Sequence, residues 1–176
     1  MKTNYELLEL LAARYSVRKF SAERVTDEHL EKILEAGRLA PTACNNQPQK
    51  VLVIRTEEGM EKLKKCTSCT FDAKTALLIC NDKTLSWNRK YDGKSSGDVD
   101  ASIVTTHMML EAASLGVGTT WVLWFDPEAM CREFNIPEHL EPIALLPMGY
   151  PAEDAQPTPL HSQFRPKEET ILYDSF

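Results

Sequence analysis

Leu7, Leu8, Leu10 and Leu11 recur at helical spacing behind a capping-box pattern formed by Thr3 and Glu6, and they predict a helix over residues 3–13 with one apolar face. In "VTDEHLEKILEAGRLAP", Thr26 is the predicted N-cap, Leu30, Ile33 and Leu34 supply the stripe, and Pro41 ends the helix. The pattern then shortens. "KVLVIR" (50–55) and "ALLIC" (76–80) read as buried strands, with a short charged helix at 57–66 between them. "NDKTLSWNRKYDGKSSGD" has hardly an aliphatic residue and predicts a long exposed loop, a length uncommon unless functional.

The longest helix is predicted in "DVDASIVTTHMMLEAASLG", capped by Asp98 and stopped by Gly116. Its apolar residues cover more than one face, so it should be buried on several sides, in the core or at a subunit interface. "TTWVLWF" (119–125) reads as a third strand, 126–134 as a helix and "PIALLPMGY" (142–150) as a fourth strand. Residues 151–176 differ: Pro151, Pro157, Pro159 and Pro166 keep them extended, and "TILYD" could add a strand to a sheet edge. A frayed end is the plain alternative. Ile171, Leu172, Tyr173 and Phe176 favour an arm docked within the same domain as residues 1–150.

Composition narrows the function classes. The 176 residues, 43% hydrophobic and 26% charged, suit one globular domain. A net charge of −6 argues against non-specific nucleic-acid binding, so any anion site must be local. Glu6 and Glu9 break the first leucines, leaving no apolar leader core, and no run is long enough to span a membrane. Five cysteines, with Cys80 inside an apolar strand, suit a reducing, cytoplasmic compartment.

Against that acidic background "RYSVRKF" is oddly basic. If it is extended, Arg14, Ser16 and Arg18 share one face over about 13 Å, a reach suited to an elongated anion. Equally, basic residues here could complement a helix dipole. "APTACNNQPQK" is a rigid, amide-rich loop before a strand, able to match a heterocycle with alternating donors and acceptors, or to serve as a plain connection. "CTSC" (66–69) has no second cysteine pair to complete a zinc site, and it follows a helix where a thioredoxin-like motif would open one. It reads as incidental. "LGVGTTW" is a weak nucleotide signal by itself, the four histidines are scattered, and no G-x-S-x-G elbow is present.

Together these stretches resemble the nitroreductase family of FMN-dependent NAD(P)H oxidoreductases. Arg14, Ser16 and Arg18 match its R-x-S-x-R box. Ala40, Pro41, Thr42, Asn45, Gln47 and Pro48 match A-P-S-x-x-N-x-Q-P, with threonine for serine. "LGVGTTW", "FDP", "MGYP" and "FRPKEETILYD" match later family segments in the expected order, across nearly the whole chain.

The resemblance implies an α+β fold whose mainly antiparallel sheet is flanked by helices, with the long helix at a homodimer interface. The alternation of helices and strands by itself would instead suggest a parallel sheet. It also implies FMN in each interface cleft. Arg14, Ser16 and Arg18 would hold the phosphate, ribityl chain and pyrimidine edge, helped by Arg165. Pro41, Thr42 and Asn45 would approach from the partner subunit, supported by Gln47, and the backbone near Leu123 and Trp124 would lie at flavin N5. Trp124 stands where many relatives carry a small residue, often glycine, a bulk that would narrow the pocket. The lid would be reduced to the polar loop around Trp87 and Arg89.

The implied activity is ping-pong transfer from NADH or NADPH to a nitro compound or quinone, without a metal or an obligatory acid–base side chain. A flavin-binding sensor or reservoir protein, or a thiol redox protein using Cys66 and Cys69, are the alternatives.

Overall fold

A computed structural model describes residues 6–176 of the chain. Thr3 of the predicted capping box lies outside the described residues, and the first helix, α1, runs Leu7–Ala13. Next come α2 (Asp27–Arg38), β1 (Gln49–Ile54), α3 (Glu57–Cys66) and β2 (Thr75–Asp82). They are followed by α4 (Gly97–Ser114), β3 (Gly118–Thr119), α5 (Pro127–Phe134), β4 (Leu140–Gly149) and the one-turn α6 (Lys167–Thr170). Thr26 caps α2 by accepting the His29 N–H, as the sequence predicts, and Thr56 caps α3 in the same way through Gly59.

Among the described residues the sheet has order β1-β2-β4-β3, and every pairing is antiparallel. The parallel sheet suggested by simple alternation does not form, and the α+β expectation holds. β2 is buried along its whole length, which explains its unbroken apolar run. Its side chains divide between two cores. Leu77 and Ile79 join Leu30 and Ile33 of α2 and Val104 and Met108 of α4, while Ala76, Leu78 and Cys80 join Met60 and Leu63 of α3 and Met130 of α5. Each fully buried aliphatic side chain contributes about 1.5–3 kcal/mol, so the two helical layers are held by opposite faces of the same strand.

Several expectations need correction. β1 is an edge strand and only half-buried, with the alternating exposure of a strand that covers one core. The predicted strand over 119–125 is reduced to Gly118–Thr119 and a bridge from Val122 to Leu145. The cause is Pro147: its carbonyl accepts the Thr120 N–H, but proline has no N–H to return the second bond of that pair. The long helix starts at Gly97, so Asp98 lies within its first turn and does not cap it. Gly116, at φ +76°, does end it.

α4 buries Ala101, Val104, Met108 and Ala112, whereas Val99 is exposed and Ser102, Ile103, Thr106 and His107 line a groove with it. Within one chain, therefore, one face of the helix is buried and another stays open. The polar loop is a small closed hairpin. Asn88 bridges Ser95, Arg89 grips Asp92 with both arms of its guanidinium, and Ser96 N–H bonds Trp87.

The arm is docked over its first part. Phe20 bridges Pro151, the Ala152 N–H bonds Lys19, Lys19 pairs with Asp154, and the Tyr15 hydroxyl reaches Ala155. "TILYD" forms no strand among the described residues. Pro166 opens α6 instead, and Phe164 and Tyr173 face outward at 84% and 81% exposure.

Candidate flavin site

"RYSVR" leaves α1 in extended backbone and runs beside residues 118–120. Ser16 bridges Thr119, the Val17 N–H donates to the Thr119 carbonyl at 2.9 Å, and the Thr120 hydroxyl donates to the Val17 carbonyl. Val17 points into the core at 2% exposure, so its neighbours Ser16 and Arg18 point away from it. The approach is tight: a Cβ on Gly118 would lie 2.6 Å from a Val17 methyl, so only glycine allows this contact. Arg14, half-buried, lines a cleft of about 190 Å³ with Val17, Ala113, Val117, Gly118 and Thr119. Arg18 is exposed and donates to the Ser16 carbonyl at 3.3 Å. Neither arginine has a carboxylate partner among the described residues. Two guanidiniums left without a carboxylate partner, one of them lining a cleft, suit an anionic group.

The second box is a strained loop. Cys44, Asn45 and Gln47 all have φ between +51° and +55°, a left-handed region uncommon for residues with side chains. Three contacts hold it. The Thr42 hydroxyl accepts the Gln47 N–H at 3.0 Å, the Gln47 amide reaches the Asn45 side chain at 3.2 Å, and Asn46 donates to the Leu85 carbonyl at 2.9 Å. The strongest anchor is one the sequence reading missed. Asp100, 1% exposed in the first turn of α4, accepts the Ala43 N–H at 2.8 Å and the Ser96 hydroxyl at 2.7 Å. An Asp two residues after "GD" reads as ordinary helix-start chemistry, so no sequence signal marks it out. Held this way, Pro41, Asn45 and Gln47 are presented on the surface, with Thr42 half-buried beneath them.

Leu123 and Trp124 form an exposed turn, at 68% and 75% exposure. Their N–H groups have no acceptor among the described residues, whereas both carbonyls are engaged. Leu123 accepts the Phe125 N–H at 3.1 Å and Trp124 accepts the Thr67 hydroxyl. The Trp124 side chain is thus displayed beside two free donors, with Thr67 and Ser68 lining the adjoining hollow.

One chain does not bring all these residues together. Ala113 at one end of α4 lines the Arg14 cleft and Asp100 at the other holds the amide loop, about 20 Å apart along the helix. Arg165 pairs with Glu169 at 3.4 Å on the exposed arm and does not line the Arg14 cleft. The cysteine pair is no better placed for redox work. Burial, then nearby Glu133 and Asp126, push the Cys66 thiol up, which disfavours a reactive thiolate.

The donors fit FMN. Unpaired arginines suit a phosphate, and free backbone N–H groups in an exposed turn suit the acceptor edge of an isoalloxazine ring. Comparison with known proteins points the same way. The family model described as "Nitroreductase family" matches residues 11–78 and 65–150. A Methanothermobacter thermautotrophicus protein named as a candidate NADH dehydrogenase/NAD(P)H nitroreductase is 34% identical over 156 residues, 85% of this chain and 79% of its own. A crystal structure of a nitroreductase family protein from Clostridium difficile superposes with a TM-score of 0.92 at 41% identity, covering 98% of this chain and 100% of that one. A candidate nitroreductase from Desulfovibrio desulfuricans, crystallised in complex with FMN, gives a TM-score of 0.76 at 27% identity over 99% of both chains. The sequence boxes, the antiparallel fold and these likenesses agree: the chain belongs to the nitroreductase family.

Proposed function

We propose that the protein is a homodimeric, FMN-dependent oxidoreductase that draws two electrons from NADH or NADPH and delivers them to an electron-poor acceptor, a nitro compound or a quinone. The observation that carries this reading is a set of groups left open among the described residues: the Arg14 and Arg18 guanidiniums, which have no carboxylate partner, and the N–H groups of Leu123 and Trp124, which have no acceptor. Bound FMN would supply the hydride and electron chemistry, as flavins do.

The chain's own residues bind and orient. Arg14, Ser16 and Arg18, with Arg165 from the arm, would hold the phosphate, ribityl chain and pyrimidine edge, and a cation at that edge favours negative charge there. The 20 Å separation along α4 supports a site completed by the partner subunit, whose Pro41–Gln47 loop would cover the ring. Exposed Leu7, Leu8 and Leu11 on α1, the open face of α4 and the apolar end of the arm are the surfaces such a dimer would cover. In this reading residues 151–176 are an arm of the same domain as residues 1–150, docking on the dimer. The five free cysteines suit a reducing, cytoplasmic setting.

The test is to purify the protein, load it with FMN and add NADH or NADPH without oxygen. Loss of the flavin's visible absorption, followed by its return on adding a quinone or nitroaromatic, is the expected result. A protein that binds FMN but is not reduced would be a flavin reservoir or sensor instead. One that neither purifies yellow nor takes up added FMN would overturn the reading.

A further inference from the structure

The "CTSC" segment, which serves no redox or metal role in the reading above, lies against the turn that displays Leu123 and Trp124. Its contacts are specific. Thr67, 7% exposed, accepts the Cys69 N–H at 3.0 Å and donates its own hydroxyl proton to the Trp124 carbonyl. The Cys66 carbonyl accepts the Asp126 N–H at 2.9 Å just beyond.

Peptide planarity carries the effect further. In a trans peptide the C=O and the following N–H point in opposite directions. Drawing the Trp124 carbonyl toward Thr67 turns the Phe125 N–H the other way, where it closes on the Leu123 carbonyl. Engaging the Leu123 carbonyl in turn sends the Trp124 N–H outward, where it has no acceptor among the described residues. We infer that Thr67 is a positioning residue: through the Trp124 carbonyl its hydroxyl aims the Trp124 N–H at the flavin ring. This rests on the flavin reading of the site. Within the motif Cys66 is buried and Cys69 half-buried, and Thr67 between them contributes the hydrogen bond to the Trp124 carbonyl.

The experiment compares wild type with Thr67→Val, which keeps the shape and removes the hydroxyl, and Thr67→Ser, which keeps the hydroxyl. Three quantities are read: amide hydrogen exchange at Phe125 in FMN-free protein, the midpoint potential and visible spectrum of bound FMN, and the rate of its reduction by NADH. The valine variant should exchange faster in the turn, shift both potential and spectrum, and be reduced about tenfold more slowly, the rate equivalent of one neutral hydrogen bond. The serine variant should match wild type. Thr67→Ala removes the same hydroxyl and is read in the same way if the valine variant does not fold.

A valine variant equal to wild type in exchange, potential and rate overturns the inference while leaving the flavin reading intact. A serine variant as impaired as valine also overturns it, because packing and not the hydroxyl would then be responsible. A wild-type protein that takes up no FMN overturns both readings.

Discussion

The Asp100 carboxyl group accepts the Ala43 N–H at 2.8 Å and thereby fastens a loop with three left-handed residues to the first turn of α4. Its other oxygen accepts the Ser96 hydroxyl at 2.7 Å, where the polar hairpin rejoins the helix. Asp100→Ala strands both donors in a buried setting and should cost about 3 kcal/mol of stability. The loop should lose its fixed form with it. Urea unfolding of the FMN-free protein measures the first effect and FMN titration the second, with weaker binding expected.

Arg14 and Arg18 test the phosphate clamp. In the proposed site Arg14→Gln and Arg18→Gln would each remove one charge-assisted contact, worth about 1.5–3 kcal/mol, so FMN affinity should fall roughly 10–100-fold. Riboflavin, which lacks the phosphate, separates the roles. A variant that loses FMN affinity but holds riboflavin as wild type does has lost a phosphate contact. Isothermal titration with both ligands at two salt concentrations reads this directly.

Gly118 and Val17 test the tight seam beneath the clamp. A Cβ at Gly118 would stand 2.6 Å from a Val17 methyl, with backbone packed on both sides. Gly118→Ala should destabilise by about 1–3 kcal/mol. Adding Val17→Ala opens space for the new methyl, so the double variant should be more stable than the summed single losses predict.

The thiols should be inert where they are buried. Cys80 is pushed up to about 12 from its ordinary 9.0, mainly by burial, and Cys66 is raised for the same first reason. A thiol raised on folding adds stability that is full below its unfolded value and is lost as pH climbs toward the folded one. Stability should therefore decline with pH above about 9, as the unfolded chain's thiols ionise. At neutral pH a thiol reagent should label exposed Cys44 and spare Cys66 and Cys80 until the protein unfolds. Replacing Cys66 and Cys69 with serine should leave NAD(P)H oxidation near wild type. Abolished activity would revive the thiol reading.

Leu8 and Leu11 test assembly. They are 77% and 43% exposed on α1, on a helix with no buried residue of its own. Sedimentation should give twice the chain mass for wild type, and Leu8→Lys with Leu11→Lys should shift it toward monomer. If the partner completes the site, FMN binding should fall in parallel with dissociation.

Much of the local structure was legible from apolar spacing. The Leu30–Ile33–Leu34 stripe reports the packed face of α2, the Thr26 cap its start, and the unbroken run at 76–80 a strand buried on both faces, and all three hold. The strand at 119–125 did not, because Pro147, far along the chain, lacks the N–H its pairing needs. Asp100 and Thr67 were invisible for the same reason. Each is an ordinary polar residue until a partner distant in sequence, Ala43 or Trp124, arrives beside it.

The sequence by itself determined the chemistry on offer: two arginines flanking a serine, an amide-rich loop and an alternation of helices and strands. Periodicity and residue type are local properties, and they survive translation into structure. Only the tertiary structure decided that the arginine cleft and the amide loop occupy opposite ends of α4, and that the Trp124 N–H is left without an acceptor among the described residues. Those relations depend on which segments meet through space. Pairing between distant strands and bonds from a buried side chain to a remote backbone leave no repeating trace along the chain.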